Sequence, residues 1–175
     1  MDIHRHLKPA IITGALALFA GNAWAGPDAG DKTFTLSGTG TSDTNFDTNL
    51  FGASGELGWF LSDSLEAGVR QSVNVAALDD ADDAWSGGTR AFADYHFGSS
   101  NFRPFVGANL GGAYGEGVAE TFAAGPEVGM KYYVKDKTFI ELAMEYQFLF
   151  KDADDVDDNF DDGAFQYTLG VGFNF

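Results

Sequence analysis

The sequence has no cysteine among its 175 residues, only 4 prolines, and only 10 Lys and Arg against 26 Asp and Glu. The lack of cysteine excludes disulfide frameworks, thiolate zinc sites and cysteine nucleophiles. The formal net charge of −16 argues against nucleic acid as a partner, because phosphate contacts require basic side chains. No Walker, HExxH or dinucleotide-binding spacing occurs, and we expect no cofactor.

The chain nevertheless has the composition of a folded protein. Hydrophobic residues make up 45% of it and aromatic residues 15%, whereas disordered acidic chains lack the apolar side chains that offset the entropy of ordering. The length fits one domain.

The first 25 residues have the layout of an export signal. Arg5 and Lys8 lie in a basic start, residues 9–21 are apolar, and residues 23–25 read Ala-Trp-Ala, which predicts cleavage after Ala25. The apolar run is shorter than the ~20 residues that a membrane-spanning helix needs, so we favour a cleaved leader over a permanent anchor. We therefore predict a signal peptide at 1–25 and one mature domain at 26–175.

The mature sequence is dominated by apolar residues that recur with a period of two, which indicates β-strands. Eight such segments are separated by clusters of Gly, Asp, Asn and Ser. They cover residues 32–40, 49–61, 65–78, 87–97, 103–114, 121–134, 138–150 and 164–175.

The connections between these segments alternate in length. Short links are predicted at 62–64, 98–102 and 135–137. Longer and more acidic links are predicted at 41–48, 79–86, 115–120 and 151–163. This alternation is typical of an antiparallel up-and-down sheet whose two ends face different environments.

The apolar parity of each segment carries aromatic residues near its ends and aliphatic or small residues in its middle. The aromatic pairs are Phe51 and Trp59, Phe122 and Tyr132, and Tyr167 and Phe175. The middle residues are Ala53, Leu57, Val69, Val73, Ala91, Ala93, Ala108, Leu110, Leu142 and Met144. Two aromatic girdles around an aliphatic band match the two interfaces of a bilayer. Eight strands of ~9–11 residues also leave enough chain for the loops, and closure of the sheet would satisfy every backbone group in lipid.

The carboxy-terminal nonapeptide YTLGVGFNF resembles the insertion signal of bacterial outer-membrane barrels, through Tyr167, Leu169, Val171, Phe173 and Phe175. Together with RPFVGANLGGAY (103–114) and GPEVGMKYYV (125–134), it makes the mature chain resemble the OmpA/OmpX-like family. The resemblance implies an all-β, eight-stranded antiparallel transmembrane β-barrel in the outer membrane. It also implies contact with outer-membrane lipid and lipopolysaccharide, and insertion by the barrel assembly machinery.

Two residues depart from this pattern. Pro126 falls in the middle of a predicted strand, where it removes a hydrogen-bond donor from the ladder, and Gln71 falls on the apolar parity at mid-depth. We expect a β-bulge or a register shift in either strand to relieve the difficulty.

The inward parity carries charged side chains that we expect to meet across the barrel axis, since an eight-stranded barrel is just wide enough for side chains to fill. The predicted network comprises Glu56, Glu66, Arg70, Arg90, Asp94, Glu127, Lys131, Glu141 and Glu145. One interpretation is a plugged polar core that only stabilises the barrel. The other is a narrow, cation-preferring pore, favoured by six inward carboxylates against three permanent cations.

The longest link is rich in aspartate and is the candidate for weak Ca²⁺ or Mg²⁺ binding. It contains Asp152, Asp154, Asp155, Asp157 and Asp158, and Asp79, Asp80, Asp82 and Asp83 form a second acidic tip. The mid-loop glycine and terminal glutamate of an EF-hand are missing, so we predict no dedicated metal site. Solvated acidic loops are the plainer interpretation.

An enzymatic role has little support in the sequence, although lipid A deacylases and palmitoyltransferases are also small eight-stranded barrels. Such catalysis needs a base that contacts a serine nucleophile, and the predicted mature chain has one histidine, His96. His96 is predicted to point inward near the short 98–102 link, away from the outer leaflet. A soluble ligand-binding barrel remains a further alternative, in which the apolar parity would line a cavity. We favour a non-enzymatic role in envelope integrity or surface interaction.

Overall fold

The computed structural model describes residues 26–43, 49–76, 84–98, 100–115, 121–150 and 163–175. Within these ranges the chain forms eight β-strands. They are β1 (Lys32–Asp43), β2 (Asn49–Phe60), β3 (Leu65–Ala76), β4 (Ala84–His96), β5 (Phe102–Gly115), β6 (Thr121–Lys135), β7 (Thr138–Phe150) and β8 (Ala164–Asn174). In the same ranges, no helix is long and apolar enough to cross a membrane.

The strands form one closed barrel in which each is antiparallel to its neighbours in sequence. Pairing of β1 with β8, from Thr33 opposite Asn174 to Asp43 opposite Ala164, completes the closure. Closure leaves no unpaired sheet edge, which is the condition for a sheet to lie in hydrocarbon. The predicted fold class, an eight-stranded antiparallel up-and-down barrel, is confirmed.

The barrel has two distinct ends. The turn end carries the short links after β2, β4 and β6, together with both termini of the barrel. There the backbone N–H groups of Lys32 and Phe175 each donate to the other's carbonyl, at 3.0 and 2.9 Å. The loop end carries the four longer links.

Some strand boundaries differ from the prediction. β1 continues to Asp43 rather than residue 40, β4 begins at Ala84 rather than 87, and β3 ends at Ala76 rather than 78. Thr41, for example, pairs with Leu50 on one side and Gln166 on the other. In β1 and β4, backbone pairing extends past the apolar pattern because a strand between two neighbours gains ladder hydrogen bonds whatever its side chains are.

The prediction of a β-bulge or register shift at Pro126 is wrong. Pro126 lies opposite Ala108 in an uninterrupted β5–β6 register. On the other side, the β6–β7 pairing lapses at Gly125 and Pro126 and resumes at Glu127 opposite Glu145 without a shift. The missing N–H therefore costs a local gap in one ladder rather than a change of register. The one register irregularity in the β6–β7 ladder lies between Tyr133 and Lys135.

The two faces of the barrel are the reverse of those of a soluble protein. The predicted aliphatic band is exposed on the outside, and the described girdle residues Trp59, Phe122, Tyr132, Tyr167 and Phe175 are also exposed there. The side chain of Phe51 lies outside the described residues. Most buried side chains in the described ranges are polar or charged. A soluble barrel with an apolar cavity requires the opposite arrangement, so that alternative is wrong.

The interior also contains large aromatic side chains, which the predicted charged network did not include. Phe60, Phe105, Tyr133 and Phe139 are at most 2% exposed and fill the lumen near the turn end. The rings of Tyr133 and Phe139 lie 5.3 Å apart. The segment before β1 folds beneath this aromatic layer, where Gly30 N–H donates to the Phe60 carbonyl at 2.8 Å. The turn end is therefore plugged by aromatic side chains.

Candidate functional site

The centre of the lumen is organised around Arg70 on β3. Its Nε lies 2.7 Å from Glu56 Oε2, and its Nη1 lies 2.9 Å from Glu127 Oε2 and 3.0 Å from Glu145 Oε2. The guanidinium also lies 5.2 Å from the centroid of the Phe92 ring. A planar fork with five donors is suited to several carboxylates at once, which an ammonium group is not.

The strand register explains why one arginine serves three glutamates. Glu56 lies opposite Arg70 on the adjacent strand, whereas Glu127 and Glu145 lie opposite each other on β6 and β7. Like charges directly across a strand pair destabilise a sheet. Arg70 reaches across the lumen and relieves this repulsion, and Asn109 Nδ2 donates to both glutamates at 2.7 Å.

Arg90 extends this network toward the loop end. It forms an ion pair with Glu145, and its Nη2 donates to Gln166 Oε1 at 3.2 Å. Gln147 Nε2 donates to Glu145 Oε1 at 2.5 Å and to Gln166 Oε1 at 3.0 Å. These contacts form a polar layer across the barrel.

A second cluster lies toward the turn end, around Glu66. Its Oε2 lies 2.6 Å from Lys131 Nζ and 2.9 Å from His96 Nε2, and Thr33 Oγ1 is hydrogen-bonded to its other oxygen. Glu141 lies 3.6 Å from the same ammonium. Lys131 Nζ is also 4.8 Å from the Phe139 ring centroid, so the aromatic plug and the ion cluster share a cation.

Asp94 stands between the two clusters and differs from the other buried carboxylates. It lies opposite Glu66 on one side and Gly107 on the other, and Gly107 in turn lies opposite Glu127. A Cβ at Gly107 would collide with Asp94 Oδ1, so the glycine makes room for this carboxyl group. Among the described residues, no Lys, Arg or His pairs with Asp94.

All nine residues of the predicted network are buried. Several buried polar side chains of the lumen were not among them, including Arg103, Asn109 and Gln166. Arg103 donates to the Asp63 backbone carbonyl beneath the plug. It raises the buried permanent cations of the described lumen to four, against six carboxylates. All three residues lie on the inward parity of their strands, so extending the alternation to neutral and terminal positions identifies them.

The group formed by Glu66, Asp94 and His96 has the donor types of a metal site. One potential ligand atom from each lies within 4.8 Å of the others. The ammonium of Lys131, 2.6 Å from Glu66, already supplies a cation there. We therefore interpret this group as part of the ion network.

Among the described residues, His96 has no partner of the kind that a hydrolase needs. Its Nε2 faces Glu66 rather than a serine, and its Nδ1 has no partner among the described residues. Ser100, in the adjacent turn, donates instead to the Phe102 carbonyl at 3.1 Å. The described residues thus contain no serine–histidine pair at this histidine.

Gln71 lies on the outer surface and finds its partners there. Its Nε2 donates to the Tyr114 hydroxyl at 2.6 Å, and its Oε1 accepts from Thr89 Oγ1 at 2.6 Å. This group satisfies the amide without the register change that the sequence analysis expected, since the β2–β3 and β3–β4 pairings are regular.

The remaining predicted residues lie on the outer surface of the barrel or outside the described residues. The five carboxy-terminal hydrophobic residues, Tyr167 to Phe175 at every second position, all face outward and are exposed. Their role as an insertion signal stays a prediction. Asp152, Asp154, Asp155, Asp157 and Asp158 lie outside the described residues, as do Asp79, Asp80, Asp82 and Asp83 and the predicted leader 1–25.

Comparison with solved structures identifies small membrane barrels of the same architecture. The N-terminal β-barrel domain of Pseudomonas aeruginosa OprF is 24% identical, with a TM-score of 0.54, over 82% of this chain and 97% of that one. Neisserial surface protein A is 16% identical, with a TM-score of 0.59, over 83% and 96%. The attachment invasion locus protein Ail of Yersinia pestis is 13% identical, with a TM-score of 0.53, over 84% and 99%. No protein-family model and no curated protein sequence matches the chain.

The closed sheet, the apolar exterior and the charged lumen define a small transmembrane β-barrel. The chain has the fold of the eight-stranded outer-membrane barrels, and its resemblance to the OmpA/OmpX-like proteins is confirmed at the level of the fold.

Proposed function

We propose that the protein is an integral barrel of the bacterial outer membrane that supports envelope integrity and contacts other molecules through its acidic loop-end segments. The exposed aliphatic band and its aromatic girdles support the location, because this surface is stable only against lipid. The orientation expected for such a barrel places the turn end in the periplasm and the loop end outside the cell.

The observation that carries the proposed role is the filled lumen. Arg70 bridges carboxylates on three other strands, and the aromatic side chains of Phe60 and Phe139 lie beneath that network. A barrel whose centre and turn end are occupied by its own side chains is closed to passage, and its exterior and loop end are free to interact. Stabilisation of the membrane and surface contact are therefore favoured over transport.

The narrow pore is the main competing function, and conductance separates the two. We expect the purified barrel to show no openings in planar bilayers at neutral pH. The double variant Phe60→Ala, Phe139→Ala removes two plug side chains and provides a control in which the turn end is widened. Discrete, cation-selective openings of the wild-type barrel would contradict the plugged interpretation.

The net charge of the chain limits which surface partners are expected. Ail has been solved in complex with the heparin analogue sucrose octasulfate, a densely anionic ligand. The present chain has a formal charge of −16. Repulsion between like charges opposes binding of a sulfated polyanion, so we expect cationic or neutral partners instead. Weak Ca²⁺ or Mg²⁺ binding by residues 152–158 stays a prediction of the sequence.

A lipid A-modifying activity is less well supported. The histidine that such chemistry would use is buried at the turn end and paired with Glu66. Unchanged lipid A in cells that overproduce the barrel is the expected result, and loss of an acyl chain would contradict it.

The proposed function is tested in cells that lack the native gene. Wild-type protein should fractionate with the outer membrane, show heat-modifiable migration on gels and restore resistance to detergent. A variant with the aspartates at 152, 154, 155, 157 and 158 changed to asparagine should restore detergent resistance equally but alter binding of cationic surface ligands. Recovery of the wild-type protein in the soluble periplasm would contradict the location, and failure of wild type to restore resistance would contradict the envelope role.

A further inference from the structure

The loop-end half of the lumen contains a cavity of about 200 Å³. It is smaller than the roughly 300–1,000 Å³ of sites for drug-sized ligands, and therefore has the size for one small ring or a short polar molecule. The cavity exists because the inward positions at this level are small, with Gly88, Ala113, Ala123 and Ala164 where larger side chains would meet.

The two walls of the cavity differ in chemistry. One wall, from β1, β3 and β4, presents Thr41, Ser72, Asn74 and Ser86. The opposite wall, from β5 to β8, presents Ala113, Ala123, Leu149 and Ala164, and also Gln147, whose Nε2 already donates to Glu145 and Gln166. A ligand that fills the space therefore meets hydroxyl and amide groups on one side and mainly carbon atoms on the other.

The floor contains two hydrogen-bond donors that are without a protein partner among the described residues but are themselves buried. Arg90 and Gln166 line the cavity and are 3% and 4% exposed, respectively. Arg90 Nε and Gln166 Nε2 have no hydrogen-bond partner among the described residues. Both nitrogens are themselves buried, so a ligand in the cavity can accept from them only when the side chain rotates toward it.

Charge excludes both kinds of ion as the preferred ligand. No Asp or Glu is among the lining residues, and the floor presents the cationic side of Arg90, which disfavours a cation. The links at this end, 44–48, 77–83, 116–120 and 151–162, contain one Lys, no Arg and many acidic residues, which disfavours an anion. The positive charge of Arg90 is also already paired with Glu145.

We propose that this cavity is a binding site for a neutral sugar of monosaccharide size, either free or as the terminal unit of a glycan. A pyranose ring has a C–H face that fits the alanine and leucine wall, and hydroxyl groups that exchange hydrogen bonds with Thr41, Ser72, Asn74 and Ser86 on the other wall. This site goes beyond the proposed role of the acidic segments and does not depend on it.

The test uses the full mature chain, folded in detergent micelles, with ¹³C-labelled alanine and leucine methyl groups. Glucose, galactose and N-acetylglucosamine are titrated separately, with sodium phosphate and calcium chloride as ionic comparisons. At least one sugar should give saturable shifts of the Ala113, Ala123, Ala164 and Leu149 methyl signals, with half-saturation on the order of 1–10 mM for so small a ligand. Trisaccharides ending in the same sugar distinguish the sources: equal or tighter binding indicates a glycan end, and exclusion indicates a free sugar.

Three variants show whether the shifts report this cavity. Ala164→Leu should fill the mouth and weaken binding at least tenfold, and Gln166→Met should weaken it by replacing an amide that lines the cavity with an apolar side chain. Ala93→Leu adds the same side chain on the lipid-facing surface and should bind like wild type. Absence of saturable shifts for all three sugars in folded wild-type protein overturns the proposal. Unchanged binding by Ala164→Leu, or equally tight binding of phosphate or calcium at the same methyl groups, also overturns it.

Discussion

The two halves of the lumen have the same alternation of residues but opposite packing. Toward the turn end, the inward positions carry Phe60, Tyr133 and Phe139 around the Lys131 ion cluster, and little space remains. Toward the loop end, they carry glycine, alanine, serine and threonine around a cavity of about 200 Å³. The period of two decides which side chains point into the lumen, whereas the sizes of those side chains decide whether the lumen is filled or contains a cavity.

The two central arginines differ in how fully the protein satisfies their hydrogen-bond donors. Arg70, between the halves, directs its donors to carboxylates of the protein, whereas Arg90, opposite it on β4 and bordering the cavity, has no partner for its Nε among the described residues. We infer that the turn half maintains the fold and that the loop half is free to vary and to bind. Substitutions should therefore cost more in the turn half and at its boundary than in the loop half.

The largest effect is expected for Arg70→Met at the boundary. The substitution leaves Glu56, Glu127 and Glu145 without their common cation, and breaking a buried charge network typically costs about 3–5 kcal/mol. Urea unfolding in micelles, followed by heat-modifiable gel migration, measures the free energy of unfolding. Val69→Met, at the adjacent outward position, should change it by less than about 0.5 kcal/mol. Equal stability of the two variants would show that the network does not stabilise the barrel.

One large side chain in each half of the lumen can be truncated to alanine, and the losses in free energy of unfolding compared. Phe139 is 0% exposed in the plug, so Phe139→Ala should lower the free energy of unfolding by about 3 kcal/mol or more. Leu149→Ala removes a side chain that already borders open space, and should cost about 1 kcal/mol or less. The same unfolding measurement applies, and a larger loss at Leu149 would reverse the comparison.

The alternation of apolar and polar residues along each strand predicted much of this fold, because a strand with one face toward lipid has a strict period of two. It placed Leu169 and Val171 outside and Glu127 and Lys131 inside. The plug was missed because Phe60, Phe105 and Phe139 are apolar residues on the polar parity, and composition alone does not show that they meet. Partners across the lumen, such as Lys131 with Glu66, depend on the tilt and stagger of distant strands, which a single strand pattern does not encode.

A methyl group added to a glycine probes how much space each half has. At Gly172 a Cβ would collide with the Phe139 ring of the plug, so Gly172→Ala should cost about 1–3 kcal/mol. At Gly88 the nearest atom is Ser72 Oγ at 3.0 Å, a side chain beside the cavity that has room to rotate. Gly88→Ala should therefore change the free energy of unfolding by about 0.5 kcal/mol or less. A larger loss from Gly88→Ala than from Gly172→Ala would mean that the loop half is packed as tightly as the plug.

The smallest effect is expected at Asp94, and its sign is informative. The described lumen holds six buried carboxylates and four permanent cations, and Asp94 is the carboxylate without an ion pair among the described residues. An unpaired buried charge destabilises a protein, so Asp94→Asn, which keeps the shape but removes the charge, should leave stability unchanged or raise it by about 1 kcal/mol.

Glu127→Gln provides the matched control for this prediction. It removes one charge from the adjacent glutamate that Arg70 does contact, and should lower the free energy of unfolding by roughly 1–3 kcal/mol. If Asp94→Asn instead destabilised the barrel as much as Glu127→Gln, Asp94 would have to contribute as a paired charge.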